Sequence, residues 1–275
     1  MKAITTATLF ALFTLTMGSV SAQNKGTQEM VVPLSDPGKP VTLHCSLMSG
    51  SIKVTGYEGK DVQITVSLDT TKDEDDADES EGMKRIGTNG GIDIRAEEHD
   101  NNVEIHTGGL MSKITGVSIK VPQNTSRVDV STVNNGNVEV TNINGKVEIG
   151  DVNGEIVAKG ISGSVVANTV NGDIIVVFKS VDPKAAMAFS TLNGKIELSL
   201  PADTKANLKL KSDNGEIFSD FDVAVDKASP KVVTKNEEHY HEIRIDDWVY
   251  GTINGGGPEI MMQSTFGKLY IRKVK

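Results

Sequence analysis

Few side chains in this 275-residue sequence have the type and spacing to do covalent chemistry. The one cysteine, Cys45, directly follows His44. A thiolate nucleophile needs a base placed beside it, and neighbours on a strand point to opposite faces. The pair therefore reads as a buried, inert thiol beside an outward imidazole. His239 and His241 flank Tyr240 and would share one side of a strand, which gives two metal ligands with no third close in sequence. Acids between Asp73 and Glu81 offer hard oxygens to calcium, but they lack the Asp-x-Asp-x-Asp-Gly spacing and distal glutamate of a preformed loop. So dense a run of like charge repels itself and buries nothing, so residues 69–85 read as an acidic loop. Polysaccharide cleavage would need positioned carboxylates or a metal in a groove, with aromatic platforms for the sugar. Trp248 is the sole tryptophan, and no acid cluster recurs at a fixed place. The expectation is no catalytic residue, no metal and no cofactor.

What does recur is a short phrase of asparagine and glycine. It stands at Asn135-Gly136, Asn144-Gly145, Asn153-Gly154, Ser162-Gly163, Asn171-Gly172, Asn193-Gly194, Asn214-Gly215 and again at Asn254-Gly255. The glycines from Gly136 to Gly172 are nine residues apart, and the next two intervals are 22 and 21. A fixed period marks a repeat architecture. Taken alternately, Gly136, Gly154, Gly172, Gly194 and Gly215 form one column of corners. Gly145 and Gly163 begin a second, continued by Asp182-Pro183 and Pro201-Ala202-Asp203. Calcium-binding nonapeptide rolls need Gly-Gly-x-Gly-x-Asp at each turn, which these single pairs do not supply.

The apolar residues choose between two folds. Asn-Gly between alternating runs is the usual hairpin signal. In a straight strand, however, inward residues stay two apart. Here they read as stepping by two and then three, as in Val165, Ala167 and Val170, with Val152 and Leu192 at matching places. That places a turn between Ala167 and Val170. The expectation is an all-β, single-stranded β-helix, a β-solenoid of short parallel rungs with about 20 residues per coil, wound right-handed. The glycines would supply left-handed φ at corners, and stacked asparagines could bond to one another along the axis. Outward residues Asn137, Glu155, Asp173, Lys195 and Glu216 would form a ladder on one side face.

Composition agrees, with 27 glycines, 4% aromatic residues and a net charge of −9. An acidic balance argues against nucleic acid and anionic membranes as partners. Residues 1–22 read as a secretory signal with cleavage between Ala22 and Gln23, too short to span a bilayer, and no later stretch reads as an integral membrane segment. Residues 23–275 would then be one exported domain, periplasmic or at the cell surface, with a polar excursion at 226–240. Rungs are expected in chain order, from 30–68 through 92–121 to the final coils at 243–271. Arg272, Lys273 and Lys275 would keep the terminal edge charged against end-to-end stacking.

Gly38-Lys39-Pro40-Val41 before Gly50-Ser51-Ile52, the repeated Val/Leu-Asn-Gly phrases and the closing Ile253-Asn254-Gly255-Gly256-Gly257-Pro258-Glu259 with Gly267-Lys268-Leu269-Tyr270-Ile271-Arg272-Lys273 carry a resemblance. Over roughly residues 30–273 the chain resembles the bacterial putative-adhesin family of domains of unknown function. The resemblance implies an exported β-helix of Bacteroidetes-type bacteria and brings no catalytic residues. Two readings follow. One is a non-enzymatic binding or adhesin-like module whose rigid repeat surface takes a protein or a glycan surface ligand. The other is a periplasmic envelope scaffold or stress-linked protein with a protein partner.

Overall fold

The structure, a computed structural model, describes residues 26–69, 94–107, 114–134, 136–226, 231–237 and 240–274. Alternating β-branched and polar residues, interrupted by glycine and asparagine, give 22 strands and no helix among them. Twenty strands belong to one continuous sheet, arranged as two ladders that face each other across a shared apolar core.

The middle of the chain shuttles between the ladders. Strands β9 (Val138–Thr141), the first half of β11 (Ile156–Asn168), β12 (Ile174–Val181) and β14 (Ile196–Leu200) stack in parallel in the first ladder. Strands β8 (Asn124–Asn134), β10 (Asn144–Gly150), the second half of β11 and β13 (Met187–Asn193) stack in parallel in the second. Val138, Ile156, Ile174 and Ile196 are direct ladder partners, so the sequence repeat is the rung repeat. The Asn-Gly phrases here turn the chain between ladders and close no hairpins. The result is a β-solenoid-like body.

Antiparallel pairing is confined to the ends. At one end β1 (Thr27–Pro33) pairs with β4 (Asp61–Leu68), β4 with β7 (Ile114–Pro122), and β5 (Ile94–His99) with β6 (Asn102–Thr107). At the other, β20 (Val249–Ile253) runs against both β15 (Ala206–Ser212) and β17 (Ala224–Val225). Strands β18 (Lys231–Glu237) and β19 (Tyr240–Asp246) form a separate antiparallel pair, over part of the segment read as a polar excursion.

Rungs do not stack in chain order. The pair β2 (Val41–Ser49) and β3 (Ser51–Tyr57) lies between β6–β7 and β8–β9. The pair β21 (Glu259–Phe266) and β22 (Leu269–Lys273) lies between β13–β14 and the later rung of β15 and β16 (Ile217–Ser219). The expected sequential stacking is corrected at both ends. Every rung offers the same inward pattern, so any rung can cover any other. Arg272 and Lys273 accordingly guard no edge, since β22 is paired on both sides and Arg272 bonds Glu197 at 2.6 Å.

The inward pairs of the central rungs are buried, from Val138 and Val140 to Leu208 and Leu210; Ile217 is half-buried and Ser219 exposed. Burying each such aliphatic side chain stabilises the fold by about 1.5–3 kcal/mol. Phe178 and Phe189 sit fully buried on either side of the corner where the rung offset grows, Ile174 pairing with Ile196 after two offsets of 18. The expected two-then-three step is overturned. Val170 and Leu192 are exposed and Val152 is half-buried, while Asp151, Thr169 and Thr191 are buried. Strict alternation runs on through Asn168, and the corner falls later, over residues 169–173.

Candidate functional site

The corners are built from backbone contact. A Cβ on Gly154 would stand 2.0 Å from the carbonyl oxygen of Gly136, one on Gly172 2.0 Å from that of Gly154, and one on Gly194 2.0 Å from that of Gly172. The column continues through Gly267 and Gly215, with Gly50 at its other end. Left-handed φ, expected at every Asn-Gly corner, occurs at Gly145, Gly163, Gly194 and Gly255 but not at Gly136, Gly154, Gly172 or Gly215. Close approach of stacked backbones is what excludes other residues at those four.

Five rungs also send a hydroxyl inward to the neighbouring glycine carbonyl. Thr132 donates to Gly50 at 2.9 Å, Thr169 to Gly154 at 3.2 Å and Thr191 to Gly172 at 3.0 Å. Ser264 donates to Gly194 at 2.9 Å and Ser212 to Gly267 at 2.7 Å. A buried carbonyl without a donor costs about 1–3 kcal/mol, so the hydroxyls complete what the corner leaves open. Asp151 occupies the same column. Its Oδ1 accepts the N–H groups of Val152 and Asn153, while its buried Oδ2 has no partner. Burial pushes this carboxyl's pKa up, against those two N–H bonds.

Outside the glycines the asparagines stack as a ladder. Asn193 donates to Asn171 at 2.7 Å, Asn171 to Asn153 at 2.8 Å, and Asn153 to the Val133 carbonyl at 3.3 Å. Asn135, read as the head of this ladder, lies outside the described residues. Phe266 pairs with Asn193 and takes the next place, 58% exposed, because the β21–β22 rung is interleaved there. Asn214 therefore bonds the Thr265 carbonyl instead, at 3.2 Å. In the second column Asn144 and Gly145 pair with Ser162 and Gly163. Asn254, at φ 49°, donates to the carbonyls of Ala202 and Thr204 at 3.0 and 2.7 Å.

Beside the asparagines runs an outward row of Val133, Val152, Val170, Leu192 and Thr265. Beyond it lie Ser131, Gly150, Asn168, Ser190 and Gln263, with Ser190 donating to Asn168 at 2.7 Å. These three rows wrap one edge of the body over five rungs and hold no charged side chain. The Val170 and Leu192 side chains, 38% and 43% exposed, serve no core. Their spacing is visible in the sequence, but the structure turns them to the face opposite the core.

The adjoining row is charged and internally occupied. Asn137 accepts the Glu155 N–H at 3.0 Å, Asp173 accepts that of Lys195 at 2.9 Å, and Lys268 bonds Glu216 at 2.8 Å. The expected outward ladder is present, with Lys268 interposed between Lys195 and Glu216. Cys45 is fully buried, and desolvation pushes its thiol up to about 12. His44 faces the other way, 3.6 Å from Asp129. Among the described residues no three His, Cys, Asp or Glu are grouped to hold a metal ion. His239 and residues 70–93 lie outside them, as do Ala22 and Gln23. Nor is any helix among the described residues long and apolar enough to cross a membrane.

Residues 145–254 match the family model described as Toastrack DUF4097. A putative cell adhesion protein from Clostridium sporogenes is similar at 14% identity, over 90% of this chain and 100% of its own, with a TM-score of 0.41. A putative adhesin from Bacteroides fragilis is similar at 12% identity, over 91% and 98%, with a TM-score of 0.41. A putative lipid binding protein from Parabacteroides distasonis gives 11% identity, 92% and 98% coverage and a TM-score of 0.31. No curated protein matches.

Proposed function

We propose that this chain, built around its Toastrack-matching segment, is an exported, non-enzymatic binding protein. Residues 1–22 would direct export and be removed, leaving Gln23 first. The mature chain would be one right-handed β-solenoid with about 20 residues per coil, interrupted by an acidic loop at 69–85 and a polar excursion at 226–240. Its partner would be a protein or glycan of the cell envelope or of another surface.

One observation carries the reading: the uncharged edge. In a chain where 24% of residues are charged, five consecutive rungs present three outward rows without a charge. Exposed apolar residues that recur in register, rather than singly, mark an interaction surface. The side chains are held by ladder bonds, so a partner meets a surface already ordered and loses less in ordering it.

The test is co-sedimentation of residues 23–275 with isolated cell envelopes, together with protease shaving of intact cells. Saturable binding supports the reading. Absence of binding to every envelope fraction overturns it. Cleavage in intact cells places the protein at the surface, and cleavage only after lysis places it in the periplasm.

A further inference from the structure

We infer that the uncharged edge takes a neutral polysaccharide, laid along the axis of the body; this rests on the binding role proposed above. The chemistry of the three rows selects the ligand. The central row is narrow, one side chain per rung, with Val133, Val152, Val170 and Leu192 apolar and Thr265 closing it. It is flanked on one side by the carboxamides of Asn153, Asn171 and Asn193, and on the other by hydroxyl and amide groups. Each ladder asparagine uses one N–H and one acceptor position on its neighbour. A carboxamide has two of each, so donors and acceptors alternate outward on every rung.

A sugar chain has the matching arrangement, with apolar C–H faces bordered by hydroxyls that both donate and accept. It brings no charge, and the edge offers none for pairing. An acidic polysaccharide would find no cation among the three rows, and in the adjoining row Lys195 and Lys268 are already engaged with Asp173 and Glu216. A protein partner would be expected to meet aromatic, methionine and arginine side chains at the centre of the contact. The central row has none of these. Phe266 stands at the end of the asparagine column, exposed over 58% of its surface, where a ring can stack on a sugar face. Rungs recur about every 4.8 Å, so five of them offer a repeating track of about 19 Å to a repeating ligand.

The experiment is affinity electrophoresis of residues 23–275 through gels containing galactomannan, arabinoxylan or mixed-linkage β-glucan, with polygalacturonate as the acidic counterpart. Retardation by at least one neutral polymer is expected, unchanged by added salt, which would screen a charge-driven contact. Phe266→Ala and Leu192→Asp should each weaken it about tenfold, a loss of about 1.4 kcal/mol. Both sites are exposed, so thermal stability should hold, and Lys268→Ala, outside the edge, should bind as the unmodified protein does. If envelopes are bound but no neutral polymer is, or only polygalacturonate is, the ligand class is wrong and the binding role stands. If neither envelopes nor polymers are bound, both fall. If Leu192→Asp instead converts a dimer to a monomer in light scattering, the edge is a self-interface and the inference is overturned.

Discussion

Replacing Asp151 by asparagine should stabilise the protein at neutral pH and leave it unchanged in acid. The reason lies in the hydroxyl column. A Cβ on Gly215 would meet the Gly267 carbonyl at 2.2 Å and the Ser212 hydroxyl at 2.6 Å, and those two oxygens are hydrogen-bonded at 2.7 Å. A Cβ on Gly154 would meet the Gly136 carbonyl at 2.0 Å and Asp151 Oδ2 at 2.5 Å. Oδ2 thus stands where every neighbouring rung has a donor, but a carboxylate cannot donate. Asparagine keeps an oxygen for the Val152 and Asn153 N–H groups and puts an N–H where Oδ2 was.

The magnitude follows from that exchange. Below the ordinary carboxyl value of 3.8, Asp151 is protonated in both states and can donate to Gly136 itself. Burial raises its folded-state pKa, so the folded protein holds the proton more tightly than the unfolded chain. That contribution is fully present below 3.8 and is lost as pH rises through the raised folded value. Above it the wild type has a buried charge where the neighbouring rungs have a donor hydroxyl. The variant regains one hydrogen bond, about 1 kcal/mol, which for a domain of this size raises Tm by about 2–4 °C. Calorimetry from pH 3 to pH 7 reads both arms. A variant that is less stable at pH 7, or a difference that does not change with pH, would refute the assignment of Asp151 as a donor.

Three other outcomes test the packing account. Gly172→Ala, whose Cβ would stand 2.0 Å from a backbone oxygen, should cost about 3 kcal/mol or more in denaturant unfolding. Gly255→Ala has open space and only a left-handed φ of 84° against it, so about 1–2 kcal/mol is expected. Cys45, with its thiol pushed to about 12, should not react with a thiol reagent at pH 8 until the protein is unfolded.

Much of the fold was legible because the rung repeat and the alternation repeat both appear as residue types. The Asn-Gly spacing gave the corners, the β-branched pairs gave the core, and the asparagine ladder followed from their stacking. The edge was misread because valine at a corner looks like valine in a core. The inward residues there are threonine and serine, chosen for the carbonyl they reach, and one aspartate that accepts two backbone N–H groups, which hydrophobicity does not reveal. The glycines looked conformational because contact between stacked carbonyls and α-carbons leaves no separate mark in a sequence. The interleaving of β2–β3 and β21–β22 was illegible for a related reason. Rungs with one inward pattern carry no local sign of which rung they will touch, and Phe266 entered the asparagine column only through that arrangement.

On the proposed function the uncharged edge is the working surface. Its most direct test is envelope co-sedimentation of the Val170→Asp/Leu192→Asp double variant beside the wild type, with equal Tm established first. Both side chains are exposed, so folding should survive. Loss of binding by about tenfold or more is predicted, since two charges would have to be desolvated against the ligand. Equal binding by a folded double variant would contradict the account and move the search to another face.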